Sequence, residues 1–124
     1  MEKFRILIVD DNSPFRQTLR GTLQVSFPMI AIDEAADGDE ALQKVDAFLP
    51  DLIFMDIGLP GENGLELTKR IKAIHPNITI LILTSYDMPE YREAAFQNGA
   101  DGFFCKTSSH LKELREVVKS YQNV

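Results

Sequence analysis

The chain has a single cysteine, Cys105, in 124 residues. An internal disulfide is excluded, and a reducing compartment is expected. Histidine is also scarce, with two residues. His75 and His110 have no Cys or acidic partner at metal-ligand spacing, so both are read as surface residues. No apolar run approaches the ~20 residues that span a bilayer. Met1-Glu2-Lys3 leads straight into a strand-like run, so no signal peptide and a cytoplasmic location are expected. Basic residues are outnumbered, with 13 Lys and Arg against 19 Asp and Glu and a net charge of −6. Gripping nucleic acid needs a Lys/Arg patch, so direct nucleic-acid binding by this segment is not expected. There is no repeat, linker or low-complexity tract. The length fits one domain over residues 1–124, with nothing left over for a second.

What is present is a rhythm. Apolar runs of four to six residues alternate with longer helical patterns, which reads as an α/β fold built on a parallel sheet with helices on both faces. Strands are expected near Phe4–Val9, Ile30–Ala35, Leu52–Met55, Ile78–Leu83 and Gly102–Cys105. The first helix is expected from Pro14 to Ser26, with Ser13 as N-cap and Phe15, Leu19 and Leu23 facing the sheet. Asp37 with Glu40 reads as a capping box for a helix whose inner face is Ala41, Leu42, Val45 and Leu49. Asn63 and Glu66 open a third helix with a stripe of Leu67, Ile71 and Ile74. Asp87 with Glu90 opens a short fourth helix with a weak apolar stripe, stopped by Asn98-Gly99. The last helix spans Ser109–Tyr121, with Leu111, Leu114, Val118 and Tyr121 inward. Cys105 reads as buried packing.

The polar residues that end these runs carry the functional signal. Asp10 and Asp11 follow the first strand, Asp56 the third, Thr84 the fourth and Lys106 the fifth. Strand C-termini of a parallel sheet share one edge, and ligands bind there. Three carboxylates, a hydroxyl and an ammonium meeting at one point suggest a hard cation beside a phosphate.

With these motifs in order, Asp10-Asp11, Met55-Asp56-Ile57-Gly58-Leu59-Pro60-Gly61, Thr84-Ser85 and Phe103-Phe104-Cys105-Lys106, the chain resembles a response-regulator receiver domain. This is the CheY-like phosphoacceptor module of two-component signalling. Asp11-Asn12-Ser13-Pro14-Phe15-Arg16 and Gly99-Ala100-Asp101-Gly102-Phe103 are similar to receivers of the NarL type, which usually carry a C-terminal DNA-binding domain. The resemblance implies a flavodoxin-like, doubly wound five-stranded sheet of order 2-1-3-4-5. It implies Asp56 as phosphoacceptor, and Mg²⁺ (or Mn²⁺) held by Asp10, Asp11, Asp56 and the Gly58 carbonyl. Thr84 and Lys106 would contact the phosphoryl group, and Thr84 with Phe103 would form a switch acting on the α4–β5–α5 face. A sensor histidine kinase or phosphotransfer protein would be the donor, with autophosphorylation from small donors, autodephosphorylation and a homodimer on phosphorylation. The module is regulatory rather than an enzyme in its own right.

Some residues depart from that pattern. Thr107 follows Lys106, where most receivers carry proline, so either a trans bond with a different loop or a strained cis bond is expected. Phe103 lacks the hydroxyl of the common tyrosine, and it also reads as a plain core residue. Gly58 and Tyr86 stand at positions that tune dephosphorylation in the family. Two alternatives compete. A degenerate receiver would bind partners without phosphate. An Asp-nucleophile phosphatase would need a second acid where Gly58 stands, which argues against it.

Overall fold

The computed structural model describes residues 3–107 and 110–122. Ten elements alternate along the chain: β1 (Arg5–Val9), α1 (Ser13–Ser26), β2 (Ala31–Ala35), α2 (Gly38–Phe48), β3 (Leu52–Met55), α3 (Gly64–Ile74), β4 (Thr79–Thr84), α4 (Pro89–Gln97), β5 (Gly102–Cys105) and α5 (His110–Gln122). All strand pairs are parallel, in the order β2-β1-β3-β4-β5. The expected α/β architecture is therefore present.

Alternate strand residues feed two cores, as the period of two requires. Leu7, Val9, Ile53, Met55, Ile80 and Ile82 face α2, α3 and α4. Ile6, Ile8, Phe54, Leu81 and Leu83 face Leu19 and Leu23 of α1 and Leu114 and Val118 of α5. With both faces covered, the central strands read as unbroken apolar runs.

The caps differ from expectation in two places. Asn12, not Ser13, caps α1; its backbone is extended and its Oδ1 accepts from the Phe15 N–H at 3.0 Å. Ser13 is already helical. Met88, not Asp87, is the N-cap of α4, and no side chain caps it. Pro89 at the first helical position drives the residue before it into extended conformation, so the boundary falls at Met88. Asp37 behaves as expected, accepting from the Glu40 N–H at 2.8 Å, while Glu40 reaches back to the Ala36 N–H at 2.6 Å. Gly99, at φ +100°, ends α4 as the Asn98-Gly99 pair implied.

Three residues assigned to inner stripes lie outside. Leu49 is 54% exposed because it is the left-handed C-cap of α2, at φ 52°, and has left the helical period. Ile74 is 69% exposed as the last residue of α3, and Leu111 is 37% exposed in the first turn of α5. Spacing continues to a helix end, but the covering layer need not. Cys105 and Phe104 are half-buried rather than buried. The peptide before Thr107 is trans. The expected start of the last helix at Ser109 lies outside the described residues, as does the side chain of His110.

Candidate functional site

The sheet ladder delivers the site residues. Asp10 N–H donates to the Ala35 carbonyl at 3.0 Å, Asp56 N–H to Val9 at 3.0 Å, and Lys106 N–H to Thr84 at 2.8 Å. Asp10, Asp56 and Lys106 are thus each the next rung after the last strand residue, while Thr84 is itself the last residue of β4. The loop after Asp56 is turned tightly by two N–H groups, of Leu59 and Gly64, that share the Ile57 carbonyl. Close approach of α3 depends on Gly64, where a Cβ would collide with the Asp56 carbonyl oxygen.

Three of the expected groups converge with a fourth. One carboxylate oxygen each from Asp10, Asp11 and Asp56 lie within 4.8 Å of one another. Asp10 and Asp56 are buried and Asp11 is exposed, so the cluster opens to solvent on the Asp11 side. The Lys106 ammonium bridges Asp10 Oδ2 at 2.5 Å and Asp56 Oδ2 at 3.2 Å. The other oxygens are anchored by backbone: Asn12 N–H donates to Asp10 Oδ1 at 2.9 Å and Ile57 N–H to Asp56 Oδ1 at 2.8 Å. Thr84 is buried, and its hydroxyl accepts from the Tyr86 N–H at 3.2 Å. Phe103 is 5% exposed, packed in the α2–α3–α4 core with the Arg92 guanidinium 5.0 Å from its ring centroid. The Tyr86 ring lies over Gly58, so that a Cβ there would sit 3.1 Å from Tyr86 Cε2. A cleft lined by Gly58, Glu62, Tyr86 and Tyr91 runs beside them.

Sequence reasoning assigned no role to two supports. Arg16 donates to the Asp10 carbonyl at 2.5 Å and to Glu34 Oε1 at 2.8 Å, while Arg20 holds the other Glu34 oxygen at 2.7 Å. The i, i+4 spacing of Arg16 and Arg20 carried the signal, but not the strand residue they share. Phe15 was read as core; its ring centroid lies 4.5 Å from the Lys106 ammonium.

The donor set fits a hard divalent cation. Three carboxylates against one ammonium leave a formal charge of −2 in a partly buried site. All available donors are oxygen, which suits Mg²⁺. Among the described residues, no protein donor engages the Gly58 carbonyl.

The charges perturb one another. Burial, chiefly, pushes the Asp10 carboxyl above its ordinary range, with Asp56 adding to the effect and the Lys106 and Asn12 hydrogen bonds opposing it. For Lys106, burial favours the neutral amine, but Asp10 and Asp56 outweigh it and hold the ammonium above its ordinary value. As pH rises, the unfolded chain releases the Asp10 proton before the folded chain does. Stability therefore falls as pH climbs from the ordinary carboxylate range to the folded value of Asp10. Asp33 and Glu34 have the opposite sign. Burial alone would raise them, but Lys44 on the one, and Arg20 and Arg16 on the other, hold both below the ordinary range. Their contribution is lost as pH falls through those lower values. Comparing wild type with Asp10→Asn isolates the first effect. In urea melts with EDTA, the variant is expected to gain on wild type as pH rises above the ordinary carboxylate range. A difference that does not change with pH would refute the assignment.

The sequence profile described as "Response regulator receiver domain" matches residues 6–119. The chain belongs to the response-regulator receiver family. Oxygen regulatory protein NreC of Staphylococcus carnosus is 41% identical over 119 residues, which is 95% of this chain and 55% of that protein. The receiver thus spans about half the length of the curated relatives it matches. Among solved structures, a two-component response regulator from Clostridium difficile is 29% identical at a TM-score of 0.90, covering 98% of this chain and 97% of that one. A LuxR-family two-component response regulator from Aurantimonas sp. SI85-9A1 is 30% identical at a TM-score of 0.86, covering 98% and 87%. Receivers are regulatory rather than catalytic modules. No helix among the described residues of this receiver is long and apolar enough to cross a membrane.

Proposed function

We propose that this receiver accepts a phosphoryl group on Asp56. The observation that carries the reading is the setting of that carboxylate: buried, gripped by the Ile57 N–H and Lys106, and beside two further carboxylates at the sheet edge. An Asp56 oxygen attacks phosphorus in line, forming an acyl phosphate. The bond from phosphorus to the donor breaks, and the donor leaves with that electron pair. From a phosphohistidine of a sensor kinase or phosphotransfer protein, the leaving group is the imidazole; from acetyl phosphate, it is acetate.

Asp10, Asp11, Asp56 and the Gly58 carbonyl would hold Mg²⁺, or Mn²⁺, which supplies charge neutralisation for the phosphoryl oxygens. Lys106 contributes a point charge from the opposite wall. The Thr84 hydroxyl leaves the Tyr86 N–H and donates to a phosphoryl oxygen. Hydrolysis by water returns the free carboxylate.

Phosphorylation brings strong acceptor oxygens and added negative charge to the strand ends. Drawing Thr84 inward shifts the β4–α4 loop, and Phe103 under Arg92 transmits the shift to the α4–β5–α5 face. The signal is a population shift whose size equals the difference in interaction between the two states. Residues 1–124 act as a single cytoplasmic receiver domain. In a longer NarL-type regulator it would govern a C-terminal DNA-binding domain, with dimerisation on phosphorylation.

The test is intact-protein mass spectrometry after incubation with acetyl phosphate. Wild type with Mg²⁺ is expected to gain one phosphoryl mass, and the same protein in EDTA or the Asp56→Asn variant none. An adduct that persists in the variant sinks the assignment. No adduct on wild type would leave a phosphate-independent binding module.

A further inference from the structure

We propose that Phe15 is a positioning residue for Lys106, holding the ammonium by its ring face between the two buried carboxylates. An ammonium has three N–H groups and no means of fixing its own direction. At Lys106 the neighbours are Asp10 Oδ2 at 2.5 Å, Asp56 Oδ2 at 3.2 Å and the Phe15 ring, with its centroid 4.5 Å away. That distance lies within the range in which the ring quadrupole attracts a cation. The side chain of Lys106 is only 13% exposed, so little water competes for the attraction.

The start of α1 puts the ring there. Asn12 caps the helix through the Phe15 N–H itself, which fixes the Phe15 backbone against the loop that carries Asp10 and Asp11. The next residue, Arg16, clamps the Asp10 carbonyl. The ring is half-buried and packs at the rim of the α1–α5 core, so it cannot follow the lysine outward. When an Asp56 oxygen becomes bonded to a phosphoryl group, the ammonium pivots on the ring toward the new oxygens. Without the ring, the lysine would have a bare acidic wall on one side and solvent on the other.

The functional half of this inference rests on Asp56 being the acceptor; the placement of the lysine does not. Phe15→Leu removes the π face and keeps apolar bulk, Phe15→Tyr keeps the face, and Phe15→Met repeats the first test should leucine fail to fold. In metal-free protein, the Lys106 ε-methylene NMR signals, assigned with Lys106→Arg, are expected upfield in wild type and Phe15→Tyr. They should return to ordinary lysine positions in Phe15→Leu. With acetyl phosphate and Mg²⁺, the phosphorylation rate of Phe15→Leu is expected to fall roughly fivefold. Phe15→Tyr should stay near wild type. Mg²⁺ affinity by calorimetry should be unchanged throughout, since the ring offers no ligand atom. Unshifted Lys106 signals in wild type, a leucine variant as fast as wild type, or a tyrosine variant as slow as leucine would each overturn the proposal. If wild type takes no phosphoryl group at all, the reading of Asp56 fails, while the NMR comparison still decides whether the ring holds the ammonium.

Discussion

Replacing Gly64 by alanine is expected to lower the melting temperature by about 10 °C and to slow phosphorylation as well. One added methyl group has this reach because of where it lands. The Cβ would collide with the Asp56 carbonyl oxygen and would also come to 2.8 Å from its carbon and 3.0 Å from Ile57 Cα. All three are backbone atoms, so no side-chain rotation relieves the clash. Overpacking of this kind costs about 3 kcal/mol. A domain of this size loses roughly 3–5 °C for each kcal/mol. The displaced carbonyl belongs to Asp56, the proposed phosphoacceptor, so relief of the clash would move that residue itself. Gly21→Ala is the control. A Cβ there meets nothing within 4 Å, on the exposed side of α1, and helix propensity alone should raise stability by about 0.5–1 kcal/mol. The same chemical change should therefore act with opposite signs at the two sites. Calorimetric melts in one buffer decide it; a Gly64→Ala protein that melts with wild type would contradict the packing described.

The second large effect is expected at Lys106. Lys106→Met keeps the length of the stem and deletes the charge, leaving Asp10 and Asp56 facing each other with side-chain exposures of 3% and 9%. Removing one partner from a buried ionic cluster costs about 3–5 kcal/mol. In EDTA at neutral pH the variant should lose stability of that order in urea melts. Mg²⁺ should restore much of it, because a metal held as proposed would neutralise the same two carboxylates. The phosphorylation rate should still fall about 100-fold with Mg²⁺ present, because the phosphoryl oxygens lose their charged contact. Lys106→Arg should recover stability better than rate, since a planar fork cannot occupy the place of a point charge. A methionine variant as stable as wild type in EDTA would mean that the lysine is not what balances the acidic pair.

The site was legible in sequence to the extent that it is built from strand ends. Asp10, Asp56, Thr84 and Lys106 each follow or close an apolar run, and a parallel sheet has no choice but to align such ends. Asp11 came with Asp10 as its neighbour, whereas Gly58 was implied only by the family resemblance. What was not legible depends on directions that spacing does not encode. Phe15 has the spacing of a core residue with Leu19 and Leu23, yet it stands at the rim, where its ring meets the lysine. Glu34 sits on a strand far in sequence from the two arginines it joins, and only register brings them together. Helix ends failed for local reasons. Asn12 and Ser13 are both good caps, and Pro14 suits either, two residues after the one and one after the other. At Met88, the constraint from Pro89 prevailed over the better hydrogen-bonding chemistry of Asp87.

One backbone hydrogen bond has a further consequence. The carbonyl of Thr84 accepts from the N–H of Lys106, just past a strand that, among the described residues, has a partner along one edge only. The hydroxyl and the ammonium that would greet the phosphoryl group therefore hang from the two ends of a single tie. A backbone shift at either residue would be passed to the other and to the outermost strand. The proposed chemistry at the centre of the sheet would in this way be geared to its margin, through a main-chain contact that only a proline at position 106 would remove.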